Sequence, residues 1–181
     1  MNDDVEKILV SEQELSSIAH RLGEQITRDF EGKRLLVVGV LKGSIYFLTD
    51  LSRYIDLPCK LDFIQASSYY DGTESTGEIR IVKDIQEKDL SEFDVLLVED
   101  ILDTGNTLKY IKDMLEKRKP RSISIVTLLD KPARRVADVS ADYVGVDVPN
   151  EFVVGYGLDY NQYYRNLPYI GVLRREVYEG K

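Results

Sequence analysis

The residues most able to do chemistry lie together at Glu99-Asp100-Ile101-Leu102-Asp103-Thr104-Gly105-Asn106-Thr107. Two adjacent carboxylates suit a hydroxylated, metal-bound sugar. A third acid, Asp103, can take up a proton. Thr104 and Thr107 place hydroxyls on both sides of Gly105. The N–H groups of such a turn, leading into a helix, can cradle a phosphate. An ordinary strand–turn–helix with an acidic turn, Asp103 serving only as the helix cap, explains neither the paired acids nor the hydroxyls around the glycine.

These groups need a rigid support. Val95-Leu96-Leu97-Val98 runs straight into the acids and predicts a buried parallel strand. The spacing of Leu108, Ile111 and Leu115 predicts a helix from Thr104 to Lys117. In an open α/β sheet, ligands bind at the carboxyl ends of strands, which is where this turn falls. Elsewhere, Ser11-Glu12-Gln13-Glu14 is a capping box. Leu15, Ile18, Ala19, Leu22 and Ile26 continue it as an amphipathic helix to about Asp29. Strands are expected at 34–40, 60–66, 78–82, 122–129, 142–148 and 170–173, and a further helix near 44–55. The polar stretch 67–77 reads as a mobile loop. Alternating strands and helices predict an α/β fold with a mainly parallel sheet flanked by helices.

Composition narrows the function classes. The 181 residues suffice for one domain with a full core, and 43% hydrophobic with 31% charged residues are globular proportions. A net charge of −8 disfavours general nucleic-acid binding. It does not disfavour a polyphosphate substrate, because local Lys, Arg, N–H groups and Mg²⁺ reverse the sign within a pocket. The single cysteine, Cys59, rules out an internal disulfide framework and reads as a small core residue. The single histidine, His20, falls in a predicted helix, which argues against a Ser/His/Asp triad or a multi-His metal site. No apolar run reaches transmembrane length and the first residues are acidic, so a cytoplasmic protein without membrane association is expected.

The signature resembles the phosphoribosyl-diphosphate (PRPP) motif of the type I phosphoribosyltransferases. The likeness runs from about Ile8 to Leu173 and is closest to the bacterial hypoxanthine (hypoxanthine-guanine) phosphoribosyltransferases. Four more segments carry it. Gly39-Val40-Leu41-Lys42-Gly43-Ser44 would meet the diphosphate through Leu41, Lys42 and Gly43, with a cis peptide at Leu41–Lys42 in the family. Ser67-Ser68-Tyr69 opens a loop that the family uses as a lid, Ser68 and Tyr69 closing on PRPP. Leu128-Leu129-Asp130-Lys131 would set Lys131 against the 6-oxo group of a purine; an ammonium only donates, so it favours oxo over amino. The segment Val148 to Tyr160, with Arg165 beyond, would stack Phe152 on the base and bring the Val153 backbone to its 2-position edge. It would also bring Asp159 to a second Mg²⁺ and Arg165 to diphosphate. Tyr163, Tyr164 and Tyr169 are assigned no role.

The resemblance implies a single domain over residues 1–181. Parts of the N-terminus and of about 131–181 would form a small hood over the active site. It implies purine salvage: hypoxanthine or guanine displaces diphosphate from PRPP through N9, giving IMP or GMP. Glu99 and Asp100 would hold the ribose hydroxyls and metal, with Asp159 as a further metal ligand. Thr104, Gly105, Asn106 and Thr107 would hold the 5′-phosphate, and Asp103 would be the general base at purine N7. The cofactor is Mg²⁺, the partners are PRPP and a 6-oxopurine, and the assembly is a homodimer or homotetramer. Two other readings compete: a phosphoribosyltransferase for another base such as xanthine, and an RNA-binding regulator built on the same fold. The retained Asp103 and the acidic charge weigh against the regulator. A generic nucleotide-binding domain has no support, since neither a G-x-G-x-x-G fingerprint nor a P-loop is present.

Overall fold

The computed structural model describes residues 2–68 and 79–179. The lid residue Tyr69 and the rest of the polar stretch to Gly77 fall outside the described residues, as does the side chain of Ser68.

Three strands with apolar centres form the middle of the sheet: β2 (Leu35–Leu41), β5 (Asp94–Leu102) and β6 (Ser122–Asp130). Strands covered on both faces need apolar side chains on both. Alternate residues accordingly enter two different cores. Val37, Leu96, Val98, Val126 and Leu128 face one cluster, while Leu36, Val38, Val95, Leu97 and Ile125 face the other. With β3 (Cys59–Ser68), β4 (Ile79–Lys83) and β7 (Tyr143–Asp147), these strands form a six-stranded sheet of order β4-β3-β2-β5-β6-β7. All neighbours are parallel except β3 with β4 at one edge.

Two helices cover the first face. In α1 (Glu12–Asp29) the capping box is complete: Glu14 N–H donates to Ser11 Oγ and Ser11 N–H donates to Glu14 Oε2. Its buried residues Leu15, Ala19, Leu22 and Ile26 share one side. The shorter α2 (Ile45–Arg53) buries Phe47, Leu48 and Leu51. On the opposite face α3 (Asn106–Glu116) buries Leu108, Ile111 and Leu115. Cys59 is partly buried against the first core, as a small apolar residue would be.

A second sheet was not expected from periodicity. Here β1 (Val5–Val10) pairs antiparallel with β9 (Ile170–Leu173), which pairs antiparallel with the two-residue β8 (Val153–Val154). A single-turn α4 (Arg175–Tyr178) follows. Val5, Val154, Leu167 and Leu173 form its separate small core. No helix among the described residues is long and apolar enough to cross a membrane.

Two expectations need correction. The signature helix starts at Asn106, not Thr104, because Gly105 is left-handed at φ 84° and breaks the helical path. The second is the extent of the strand: β5 does not stop at Val98 but runs through Glu99 and Asp100 to Leu102, so the sheet itself carries the paired acids.

Candidate active site

The carboxyl ends of β2 and β5 lie side by side and build the first half of the site. The peptide Leu41–Lys42 is cis. Lys42 is exposed, and its Nζ donates to Gln162 Oε1 at 3.0 Å. Glu99 is only 8% exposed, with Asp100 next to it. Burial pushes Glu99 well above the usual carboxylate range, and the neighbouring Asp100 charge adds to that. Burial also raises Asp100, although Arg165 and the Ile101 N–H, which donates at 2.8 Å, oppose it. A buried acid pair of this kind is poised for cations and sugar hydroxyls.

Beyond β5 the chain turns through Asp103, Thr104 and Gly105 into α3. No side chain caps α3. Its first-turn N–H groups have no acceptor within the helix and are free to meet an anion. Asp103 is therefore not the cap that the sequence allowed. Arg135 fixes the turn from behind: its Nε donates to Asp103 O at 3.0 Å and its Nη2 to Leu102 O at 3.2 Å. Nη2 also pairs with Asp130. The N–H groups of Val136 and Ala137 both donate to Thr104 O at 3.0 Å.

These residues enclose a cavity of roughly 300 Å³. It is lined by Leu41, Lys42, Gly43, Glu99, Asp100, Asp103, Thr104, Gly105, Thr107, Asp159 and Arg165. Asn106 is exposed and does not contribute to that lining. Asp159 and Arg165 come from the segment between β8 and β9. Arg165 Nη2 pairs with Asp159 Oδ1 at 2.8 Å, and its Nη1 donates to Gly157 O at 2.6 Å. Gln162 joins this group, donating its N–H to Asp159 Oδ2 at 2.8 Å.

A second cavity, of roughly 320 Å³, opens beside the first. Ile101, Asp103, Lys131, Phe152 and Val153 are among its lining residues. Lys131 stands at the end of β6 and is 5% exposed. Its Nζ donates to Glu151 O at 2.6 Å. Burial pulls the ammonium pKa down, while Asp103 pulls it up. Phe152 is 39% exposed, so a large part of its ring is open. Arg134 Nε lies 3.0 Å from Asp103 Oδ1, yet the oxygen is buried without a well-aligned hydrogen bond. A larger cavity of roughly 610 Å³ lies elsewhere, among Tyr46, Tyr54, Tyr156 and Asp50, and has none of the signature residues.

The structure brings the sequence-derived candidates into two adjoining cavities, apart from Asn106 and the lid pair Ser68 and Tyr69. Sequence reasoning missed Arg134, Arg135, Gln162 and Glu151. Each acts through a contact that no spacing rule announces; the only hint was the pair of arginines shortly after Lys131.

The acids present fit a magnesium ion. No three His, Cys, Asp or Glu side chains converge among the described residues. Mg²⁺ does not ask for that: it takes one or two carboxylates and fills its shell with water and phosphate oxygens. Glu99, buried, and the half-buried Asp100 beside it, both lining the cavity, supply such ligands.

The phosphoribosyl transferase domain model matches residues 5–161. The hypoxanthine-guanine phosphoribosyltransferase of Staphylococcus aureus (strain Mu50 / ATCC 700699) is 53% identical over 180 residues, covering 99% of this chain and all of that protein. A crystal structure of a hypoxanthine phosphoribosyltransferase from Staphylococcus aureus superposes with a TM-score of 0.93 at 53% identity, covering 98% of this chain and 96% of that one. A hypoxanthine-guanine phosphoribosyltransferase from Bacillus anthracis gives 0.87 at 45% identity, covering 94% and 99%. The chain belongs to the phosphoribosyltransferase family and has the type I fold.

Proposed function

We propose that this chain transfers the 5-phosphoribosyl group of PRPP to N9 of hypoxanthine or guanine, releasing diphosphate, and so works in purine salvage. One observation carries the reading most directly: Asp103 borders both cavities. One cavity has the chemistry for a phosphorylated sugar and diphosphate. The other has an aromatic ring, an apolar Ile101 and a buried lysine, which suit a flat base with an oxo group. Only a residue between them can handle a proton of the base while the sugar is attacked.

Each residue then has a task. Thr104, Gly105, Thr107 and the first turn of α3 bind the 5′-phosphate. Glu99 and Asp100 hold the ribose hydroxyls, and their charge favours the cationic sugar that forms as the bond to diphosphate breaks. Leu41, Lys42, Gly43 and Arg165 receive the diphosphate. Phe152 stacks on the purine, the Val153 backbone meets its 2-position edge, and Lys131 donates to its 6-oxo oxygen. Asp103 accepts the N7 proton as general base. Glu99, Asp100 and Asp159 are the residues that would hold Mg²⁺. The bound metal supplies charge neutralisation of the diphosphate leaving group.

In this reading the whole chain is one domain, and the β1-β9-β8 sheet is a hood over the site. Ser68 and Tyr69 belong to a lid that excludes water from the reacting sugar. The family habit points to a homodimer or homotetramer in the cytoplasm, without nucleic-acid or membrane partners.

The deciding assay offers PRPP and Mg²⁺ with hypoxanthine, guanine, xanthine, adenine, orotate and uracil in turn. The expected result is nucleotide formation from hypoxanthine or guanine that stops when Mg²⁺ is chelated. Product from xanthine or another base alone would replace the substrate assignment. PRPP binding with no product from any base would replace the enzyme reading by a regulatory one.

A further inference from the structure

Phe152 does not stand alone. Its ring is stacked with Tyr178 at a centroid separation of 4.9 Å and an interplanar angle of 24°. Tyr160 meets Phe152 edge-on at 5.7 Å and 88°, and meets Tyr178 at 6.5 Å and 64°. These three separations close a triangle in which Tyr160 lies to the side of the Phe152–Tyr178 stack. One face of Phe152 is thus covered by Tyr178, and neither tyrosine covers the other.

Both tyrosines are anchored. They pack on the small core of Val5, Val154, Leu167 and Leu173 in the second sheet. Tyr178 ends α4, and the start of that turn is tied to the N-terminal segment: Arg174 N–H donates to Asp4 O and Arg174 Nε to Asp3 O, each at 2.9 Å. Phe152 is fixed from the same side, since Leu173 N–H donates to Phe152 O at 2.9 Å. Tyr178 itself is part of the lining of the cavity that holds Lys131 and Asp103.

We infer that Tyr178 is a positioning residue of the purine site, holding the Phe152 ring so that its uncovered face receives the base. This rests on the reading of Phe152 as the stacking surface. A partly exposed phenylalanine just before a two-residue strand has rotamer freedom to lose on binding. A ring stacked behind it removes that freedom in advance. The arrangement is a three-layer stack of base, Phe152 and Tyr178, with Tyr160 closing one edge. The tyrosine hydroxyl has no part in it, so phenylalanine at position 178 should serve equally.

The test is a steady-state comparison of the full chain with Tyr178→Leu, Tyr178→Phe and Phe152→Leu, varying purine and PRPP separately. Tyr178→Leu should raise the purine KM about three- to tenfold, the range of an aromatic pair, with kcat and the PRPP KM unchanged. Tyr178→Phe should restore the native purine KM. An unchanged purine KM in Tyr178→Leu, with Phe152→Leu raised, would sink the inference and leave Phe152 in its role. No effect in Phe152→Leu would remove both. A lowered purine KM in Tyr178→Leu would mean that Tyr178 occupies the place of the base. A PRPP KM that rises in parallel, in Tyr178→Phe as well, would mark a general packing role instead.

Discussion

Gly43 and Asp100 are packed so closely that a Cβ built on Gly43 would lie 1.6 Å from Asp100 Oδ2. The atom it would meet is a carboxylate oxygen of the Glu99–Asp100 pair. Gly43→Ala must therefore push Asp100 or the Lys42 turn aside. We expect at least a tenfold loss in kcat/KM for PRPP, with a smaller change in the purine KM. A variant with native PRPP kinetics would show that the turn relaxes at no cost.

Asp103→Asn keeps the shape of the side chain and removes the carboxylate proposed as the base. General-base catalysis contributes about 10²–10⁴-fold, so kcat should fall within that range. PRPP affinity, measured by calorimetry, should hold. Equal loss of PRPP affinity would give Asp103 a structural role in the turn that Arg135 braces.

Lys131→Ala removes a donor buried in the cavity that Phe152 and Asp103 line, the proposed base site. A hydrogen bond to a charged group is worth about 1.5–3 kcal/mol, so the purine KM should rise roughly ten- to a hundredfold. The PRPP KM should change little. A variant that keeps its preference for 6-oxopurines over adenine would show that discrimination comes from elsewhere.

Asp84 gives a prediction about acid stability away from the site. It accepts from Arg118 Nη2 at 2.9 and 2.8 Å and from Lys88 Nζ at 2.6 Å. Burial alone would raise its pKa, but these partners outweigh it and hold the carboxyl at about 2 instead of 3.8. The folded-state pKa is the lower one, so on acidification the unfolded chain takes up the proton first. The resulting stability, on the order of 1–2 kcal/mol, is present above 3.8 and is lost as pH falls towards about 2. Asp84→Asn should lower Tm at neutral pH, and the gap to the native chain should close across that acid range. A gap that stays constant with pH would remove the ion pair as its cause.

The centre of the sheet was legible in the sequence because β2 and the Val95–Val98 part of β5, buried on both faces, read as apolar runs. The capping box at Ser11 and the final strand at Ile170–Leu173 were equally plain. The signature suggested a chemistry but not the full extent of its support: β5 continues past the apolar run Val95–Val98 through Glu99 and Asp100. The second sheet was missed for a physical reason. Val153–Val154 is too short to show a period, and β1 does not alternate: only Val5 and Val10 are buried, Ile8 is exposed, and its register with β9 shifts twice. Contacts such as Lys42 to Gln162, 120 positions apart, have no trace in local pattern.

The pairing of β1 with β9 has a consequence for synthesis. These strands come from opposite ends of the chain and register Val5 with Leu173. A ribosome releases the first long before the second exists, and so distant a contact carries a large loop-closure cost. While it waits, β1 has an unpaired edge, the kind that invites association with other chains. The Asp103–Gly105 turn can form once β5, α3, β6 and the bracing Arg135 are out. The cavity that Phe152 and Val153 line must await β9, so under the proposed assignment a nascent chain acquires its grip on the sugar phosphate before it can choose a base.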